Sequence, residues 1–229
     1  MTASAIIVAA GIGARLGSSV PKAFIKIGGR TMLSYSLGAV GQVSSIGEVV
    51  ITVPEGFESS ARAEAAAAGL GVPVKITPGG VERQDSVRIA LGLTSSESEL
   101  VIVHDAARPL ATPAIFEACI AAAARAGGAI AAIPVADTLK RVADGAIAAT
   151  VARAGLWQAQ TPQAFRRAVL VAAHRRAVSE RIIATDDADL VERTGVRVEV
   201  VEGSTANIKI TTPSDLAIAE AIIAARMAD

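Results

Sequence analysis

The stretch VAAGIGARLGSSVPKAF, Val8 to Phe24, places three glycines, an arginine and a lysine directly behind a short apolar run. Backbone at Gly11 and Gly13 can approach an anion with no Cβ in the way. Arg15 and Lys22 can bring charge to phosphates, the first as a planar fork and the second as a point charge. A surface turn with solvated charges would use the same residues, so the loop alone leaves both readings open. Two familiar phosphate loops do not fit. The dinucleotide fingerprint G-x-G-x-x-G needs its third glycine where Leu16 stands, and the acid expected about twenty residues further on is missing from IGGRTML. A Walker A loop ends with lysine directly after glycine, whereas Gly17 is followed by Ser18.

Three other clusters carry chemistry. VIVHDAARP puts Asp105 just beyond an apolar run, where a carboxylate can hold a Mg²⁺ ion that bridges phosphate oxygens. Taken alone, Asp105 would serve equally well as a helix cap or as a partner of Arg108. His104, with no second His or Cys near it in sequence, reads as structural. ANIKITTPSD places Lys209 between Ile208 and Ile210, so that in a short strand the isoleucines turn to one face and the lysine to the other. Such a lysine needs an anionic partner or a path to water, or else marks an edge strand. PGGVERQDS is a glycine-rich turn running into a helix start, able to meet a nucleobase through backbone groups and Ser86, or simply to cap the helix.

The elements that would position these residues alternate. SAIIVAA, GEVVITV, PVKIT, ELVIVHD, GAIAAIPV and RVEVVEG are Val- and Ile-rich runs of the kind buried on both faces. Between them the spacing predicts helices over Thr31 to Val43, Glu58 to Gly69, Asp85 to Leu93, Pro113 to Ala126, Phe165 to Val178 and Asp186 to Thr194. Thr212, Pro213 and Asp215 mark the start of a last helix. Strand alternating with helix implies an α/β fold, a doubly wound and mostly parallel Rossmann-like sheet. With no repeat, linker or break in composition, residues 1–229 form one domain. The segment 137–153 departs from the alternation. It reads as two strands around Asp144 and Gly145, a strong hairpin turn. A lone two-stranded hairpin is marginal in water, so this projecting arm must be covered by its own domain or by a second subunit.

Composition limits the partners. With 22 basic and 22 acidic residues among 229 there is no net charge to draw the chain to nucleic acid or an anionic lipid surface. The opening apolar run lacks a positive leader and meets glycine within a few residues, a poor signal peptide. No apolar run reaches the roughly 20 residues of a membrane helix, so a soluble, cytoplasmic protein is expected. Cys119, the lone cysteine, lies in an Ala-rich run and reads as buried helix.

AAGIGARLGSSVPKAF, GGVERQDSV, VHDAARP, DTLKR, GLWQAQTPQAF, TDDADLVE and NIKITTPSDL together resemble the motif set of the 2-C-methyl-D-erythritol 4-phosphate cytidylyltransferases, in order and over nearly the whole chain. The resemblance implies a nucleotidyltransferase domain that joins CTP to a polyol phosphate, with Mg²⁺ or another divalent cation held at Asp105. It implies that Ala9, Ala10, Gly11, Gly80 and Ser86 surround the cytidine, with Asp105 near the ribose. Arg15, Lys22 and Lys209 would surround the triphosphate and carry catalysis. Thr138, Arg153, Thr161 and Thr185 match positions at or beside the alcohol phosphate, with Asp137 and Asp186 as neighbours. It further implies a homodimer in which the arm 137–153 reaches into the partner and Arg153 completes the partner's acceptor site. Val81 can make no side-chain hydrogen bond to a base, and Ala152 offers no carboxylate to orient Arg153. The competing readings are a cytidylyltransferase for ribitol 5-phosphate or another polyol phosphate, and a non-catalytic nucleotide-binding regulator. An NAD-linked oxidoreductase lacks its glycine and acid spacing.

Overall fold

The computed structural model describes residues 2–13, 16–18 and 20–228. In chain order, β1 (Ala3–Val8) leads through a 3-10 turn (Lys22–Phe24) to the short strands β2 (Lys26–Ile27) and β3 (Arg30–Thr31), then α1 (Met32–Val40), β4 (Ile46–Val53), α2 (Glu58–Ala68), β5 (Val74–Pro78) and α3 (Arg83–Leu93). There follow β6 (Leu100–Asp105), α4 (Pro113–Ala126), β7 (Gly128–Pro134), β8 (Leu139–Ala143), β9 (Ala146–Val151) and β10 (Trp157–Arg166). The chain ends with α5 (Arg167–Glu180), α6 (Asp187–Glu192), β11 (Val198–Glu202) and α7 (Pro213–Ala228).

Seven strands form one sheet in the order β11-β7-β10-β6-β1-β4-β5. All neighbours are parallel except β10, which runs antiparallel to both β6 and β7. Successive side chains along a strand point to opposite faces, and the core divides accordingly. Ala5 and Ile7 of β1 join Leu33 and Leu37 of α1, Ala61 of α2 and Phe116 of α4. Ile6, between them, joins Val87 of α3, Leu170 of α5 and Leu190 of α6 on the other face. The doubly wound expectation holds.

Three expectations need correction. The helix expected from Phe165 starts at Arg167, because Phe165 and Arg166 belong to β10, a strand the sequence pattern did not show. Residues 207–211, expected as a strand, form no ladder; a single amide bond from Ile210 to the Ala107 carbonyl (2.9 Å) holds the extended segment against the loop after β6. The first helix stops at Val40, not Val43.

The arm is a separate two-stranded sheet of β8 and β9. Asp144 (φ 50°) and Gly145 (φ 77°) both take the left-handed conformation that a tight I′ turn requires. Val142 and Ile147 on the arm are 59% and 66% exposed, so the body of the domain does not cover it.

Phe116 sits at the centre of the α1/α2/α4 layer, with no exposure and its ring 4.9 Å from that of His104. Phe116→Ala is expected to destabilise the fold by about 3–5 kcal/mol, from lost transfer energy and the cavity left behind. A denaturant midpoint unchanged from wild type would show that this layer is not the core.

Candidate active site

Strand β1 is where the sheet order changes direction: the chain passes from it to β4 and β5 on one side, and β6 lies on the other. Ligands in open α/β sheets bind at the carboxyl ends of strands at such a point. Val8 pairs with Asp105 in parallel register, so the loop after β1 and the end of β6 emerge side by side. A cavity of about 260 Å³ opens there, lined by Ala9, Ala10, Gly11, Lys22, Gly80, Ser86, Asp105 and Lys209 among others. The structure therefore brings eight of the sequence-derived site residues to one place. Arg15 lies outside the described residues.

Local geometry explains the loop sequences. The Lys22 amide donates to the Gly11 carbonyl (3.3 Å), folding the loop back so that Lys22 stands beside Gly11. Gly13 (φ +72°) faces Lys22 so closely that an added Cβ would lie 2.8 Å from the Lys22 Cβ. On the opposite wall a Cβ on Gly79 would lie 2.3 Å from the Ala10 Cβ, so only glycine lets the two loops meet. The Gly80 amide donates to Ser86 Oγ (3.0 Å), which donates to the Glu82 carbonyl (3.3 Å). Ser86 thus shapes the cavity wall through bonds within its own loop. Val81 is 96% exposed at the rim, consistent with its making no polar contact to a base.

A second cavity of about 250 Å³ adjoins the first and is lined by Arg108, Gln160, Thr161, Gln163, Thr185 and Asp186. Arg83, Asp105 and Lys209 line both. At this shared wall Asp105 accepts from Arg83 Nε through Oδ1 (2.8 Å) and from Lys209 Nζ through Oδ2 (2.7 Å). The pairing with Arg108 open at the sequence level is not made; Arg108 instead donates to the carbonyls of Asn207 and Ala159. Burial by itself would raise the Asp105 pKa, but Arg83 and Lys209 outweigh it and hold the carboxyl well below its ordinary range. Asp105 is therefore ionised throughout the neutral range.

Lys209 reaches this wall although its segment is no strand. Ile210 is buried and Ile208 packs beside it against Ile27, Met32 and Ile223, which turns the intervening lysine towards Asp105. Asn207 anchors the segment from behind, donating to Gln160 Oε1 (3.1 Å) and the Thr161 carbonyl (2.9 Å).

His104 is structural, as its sequence context implied. Its Nε2 meets the Arg108 carbonyl (3.2 Å), which can only accept, so that nitrogen carries the hydrogen. Nδ1 then accepts from Thr161 Oγ1 (3.0 Å), which itself accepts the Asp105 amide (3.0 Å). Burial pushes the His104 pKa down to about 4, keeping the ring neutral. Thr161 lines the second cavity, yet its hydroxyl proton is committed to His104; it fixes the backbone at Asp105. Thr138 and Arg153 are exposed on the arm and line neither cavity, with Arg153 Nη1 donating to the Ala136 carbonyl.

Arg83 is a residue of this wall that its sequence context does not single out. A positional signal remains: it is the first residue of α3, where the positive end of the helix dipole disfavours a cation. Its compensating partners are Asp105 and, 104 positions away, Asp187 (2.8 Å).

Of the shared wall, Asp105 alone offers oxygens to a divalent cation. Among the described residues no group of three or more His, Cys, Asp or Glu could hold a metal by itself. Mg²⁺ is commonly bound by one or two carboxylates together with substrate phosphates, and each Asp105 oxygen retains a further acceptor position beyond its cationic partner. This donor set fits an ion that arrives with a triphosphate.

A doubly wound sheet with two adjoining cavities at its switch point, sharing a wall of Arg83, Lys209 and the ionised Asp105, is arranged as a nucleotidyltransferase site would be. The family model for 2-C-methyl-D-erythritol 4-phosphate cytidylyltransferase matches residues 3–225. The chain belongs to that family. It is 43% identical over 225 residues to the Syntrophotalea carbinolica protein of that name, covering 97% of each chain. It is 45% identical to the Deinococcus radiodurans protein, covering 96% of this chain and 88% of that one. The crystal structure of 2-C-methyl-D-erythritol 4-phosphate cytidylyltransferase from Thermus thermophilus superposes with a TM-score of 0.81 at 37% identity, covering 97% of this chain and 98% of that one. No helix among the described residues is long and apolar enough to cross a membrane.

Proposed function

We propose that this chain transfers CMP from CTP to 2-C-methyl-D-erythritol 4-phosphate, releasing pyrophosphate, and so supplies an isoprenoid precursor in the cytoplasm as a homodimer. One observation carries the chemistry: the nucleotide cavity and the acceptor cavity share the wall built by Arg83, Asp105 and Lys209. Ala9, Ala10, Gly11, Gly80 and Ser86 enclose the cytidine, and Asp105 lies beside the ribose. Arg15, Lys22 and Lys209 draw the triphosphate into place. A phosphate oxygen of the acceptor attacks the α-phosphorus, the bond to the β-phosphate oxygen breaks, and pyrophosphate leaves. The nucleophile is already an anion, so no general base is required. The work is to bring two anions together in line and to stabilise the charge that grows on the α-phosphate and leaving oxygens. Lys22 and Lys209 do this with donors set in place before the reaction. Asp105 would hold a Mg²⁺ ion, which would supply neutralisation of phosphate charge.

Thr185 lines the acceptor cavity beside Asp186, while Thr138 and Arg153 reach an acceptor only across a subunit interface. The family membership favours methylerythritol phosphate over ribitol 5-phosphate, since the relatives named above bear the former name. Pyrophosphate release with CTP and Mg²⁺ is the test, with the two acceptors offered in parallel. Turnover is expected with methylerythritol phosphate, to stop on chelation with EDTA and to return with added Mg²⁺. Preference for ribitol 5-phosphate would overturn the acceptor, undiminished turnover in EDTA would overturn the metal, and CTP binding without turnover would favour a regulator.

A further inference from the structure

Behind the shared wall, towards the interior, lie residues that line neither cavity. Asp187 and His174 are 1% and 2% exposed. His174 Nε2 donates to Asp187 Oδ1 (3.2 Å), Arg83 Nη1 donates to Asp187 Oδ2 (2.8 Å), and Arg83 Nε donates to Asp105 Oδ1 (2.8 Å). From interior to cavity the row runs His174, Asp187, Arg83, Asp105, Lys209. We propose that Arg83 is the positioning residue that fixes Asp105 for the transfer, and that Asp187, braced by His174, fixes Arg83. The proposal rests on the reading of the two cavities as CTP and acceptor sites.

Stability is a weak reason for such a row. Buried ion pairs lose much of their attraction to desolvation, and well-packed apolar residues often serve a fold as well or better. Here the arrangement also opposes the dipole of α3, and it leaves Arg83 Nη2 buried without a partner. What the row supplies is geometry. A planar guanidinium can join two carboxylates in fixed directions, which the single ammonium of a lysine cannot reproduce. Asp187 is suited to its part because it is the first residue of α6, where the helix dipole favours a carboxylate. The Arg83–Asp187 ion pair therefore ties the first residue of α3 to the first residue of α6, and through Arg83 this tie sets the direction in which Asp105 is held. Removing the brace frees Arg83 to turn, and Asp105 then follows Lys209 alone.

The test is steady-state kinetics with CTP and methylerythritol phosphate, run beside thermal unfolding, on wild type and four variants. Asp187→Asn is expected to lower kcat by about 10- to 100-fold, in the range seen when residues supporting a site's ligands are changed. The KM for CTP should move less than about threefold, since no contact to the nucleotide is removed. His174→Gln should show a smaller loss in the same direction. Asp187→Asn leaves a buried arginine short of a partner and could lose stability for that reason alone, so the paired variant Arg83→Gln/Asp187→Asn decides. It removes both charges together and keeps a hydrogen-bonding pair. For a positioning role its unfolding midpoint recovers towards wild type while kcat stays at least about tenfold down. Arg83→Lys, which keeps the charge but not the fork, should remain equally impaired. Full kcat in a folded Asp187→Asn variant, or kcat that returns together with the midpoint, overturns the proposal alone. A wild-type protein silent with both substrates would overturn the substrate reading and the proposal with it.

Discussion

Lys209→Ala is expected to lower kcat by about 10²- to 10³-fold, equivalent to roughly 3–4 kcal/mol of barrier, with thermal unfolding close to wild type. The separation of the two effects follows from what each part of the segment does. Its anchorage comes from Ile208 and Ile210 in the apolar cluster under α7 and from the side-chain bonds of Asn207. The lysine side chain is 43% exposed, and its pairing with Asp105 is a partly solvated one that adds little to stability. Nor does its removal orphan a buried carboxylate, because Arg83 still holds Asp105. Lys209 stands in the wall common to both cavities, where, on the proposed function, an acceptor phosphate and an α-phosphate must approach against their mutual repulsion. A fixed cation there acts on charge that develops in the transition state, which is where electrostatic stabilisation is largest. Pyrophosphate release by the purified variant would measure the loss. More than a tenth of wild-type turnover would remove Lys209 from the catalytic set; an equal collapse of the unfolding midpoint would mean that the segment depends on the ion pair for its fold.

How much of this was legible before folding depends on whether the signal was local. Helix α4 runs from Pro113 to Ala126, as the spacing of its sequence implied, because proline, the apolar face and the closing Gly127 all fall within one short window. Asp144 and Gly145 announced the arm for the same reason. Strand β10 gave no such signal. Its buried residues include Gln160, Thr161 and Gln163; Gln163 Nε2 donates to the Gln160 carbonyl and to Asp186, the Thr161 carbonyl accepts from Asn207, and a proline interrupts the strand where its register with β7 shifts. A polar, proline-containing stretch reads as a loop until its partners are known. Lys209 shows the intermediate case: alternation between two isoleucines predicted its direction correctly, although no strand forms there. Arg83 lay in full view within GGVERQDSV. Its meaning depended on Asp187 and Asp105, and no window of sequence contains all three.

Arg153→Ala and Lys22→Ala, each nearly inactive alone, are expected to regain about a quarter of wild-type activity when mixed and allowed to exchange subunits. The expectation comes from where the two residues lie. Lys22 lines the cavity proposed for the nucleotide in its own chain. Arg153 is exposed at the foot of an arm whose apolar residues Val142 and Ile147 face solvent, and it lines neither cavity. A two-stranded hairpin of this kind needs cover; a second copy of the chain can provide it while receiving Arg153 at its acceptor cavity. In a mixed dimer one site then combines the Lys22→Ala cavity with the Arg153→Ala arm and is doubly impaired. The other combines an intact cavity with an intact arm and is whole. Random exchange makes about half of the dimers mixed, so about one site in four is restored. If Arg153 served its own chain, every site would carry one lesion and mixing would restore nothing. Capture of one variant by an affinity tag on the other separates that outcome from failure to exchange, and a monomer fully active at the assay concentration in sedimentation would dismiss the shared site altogether.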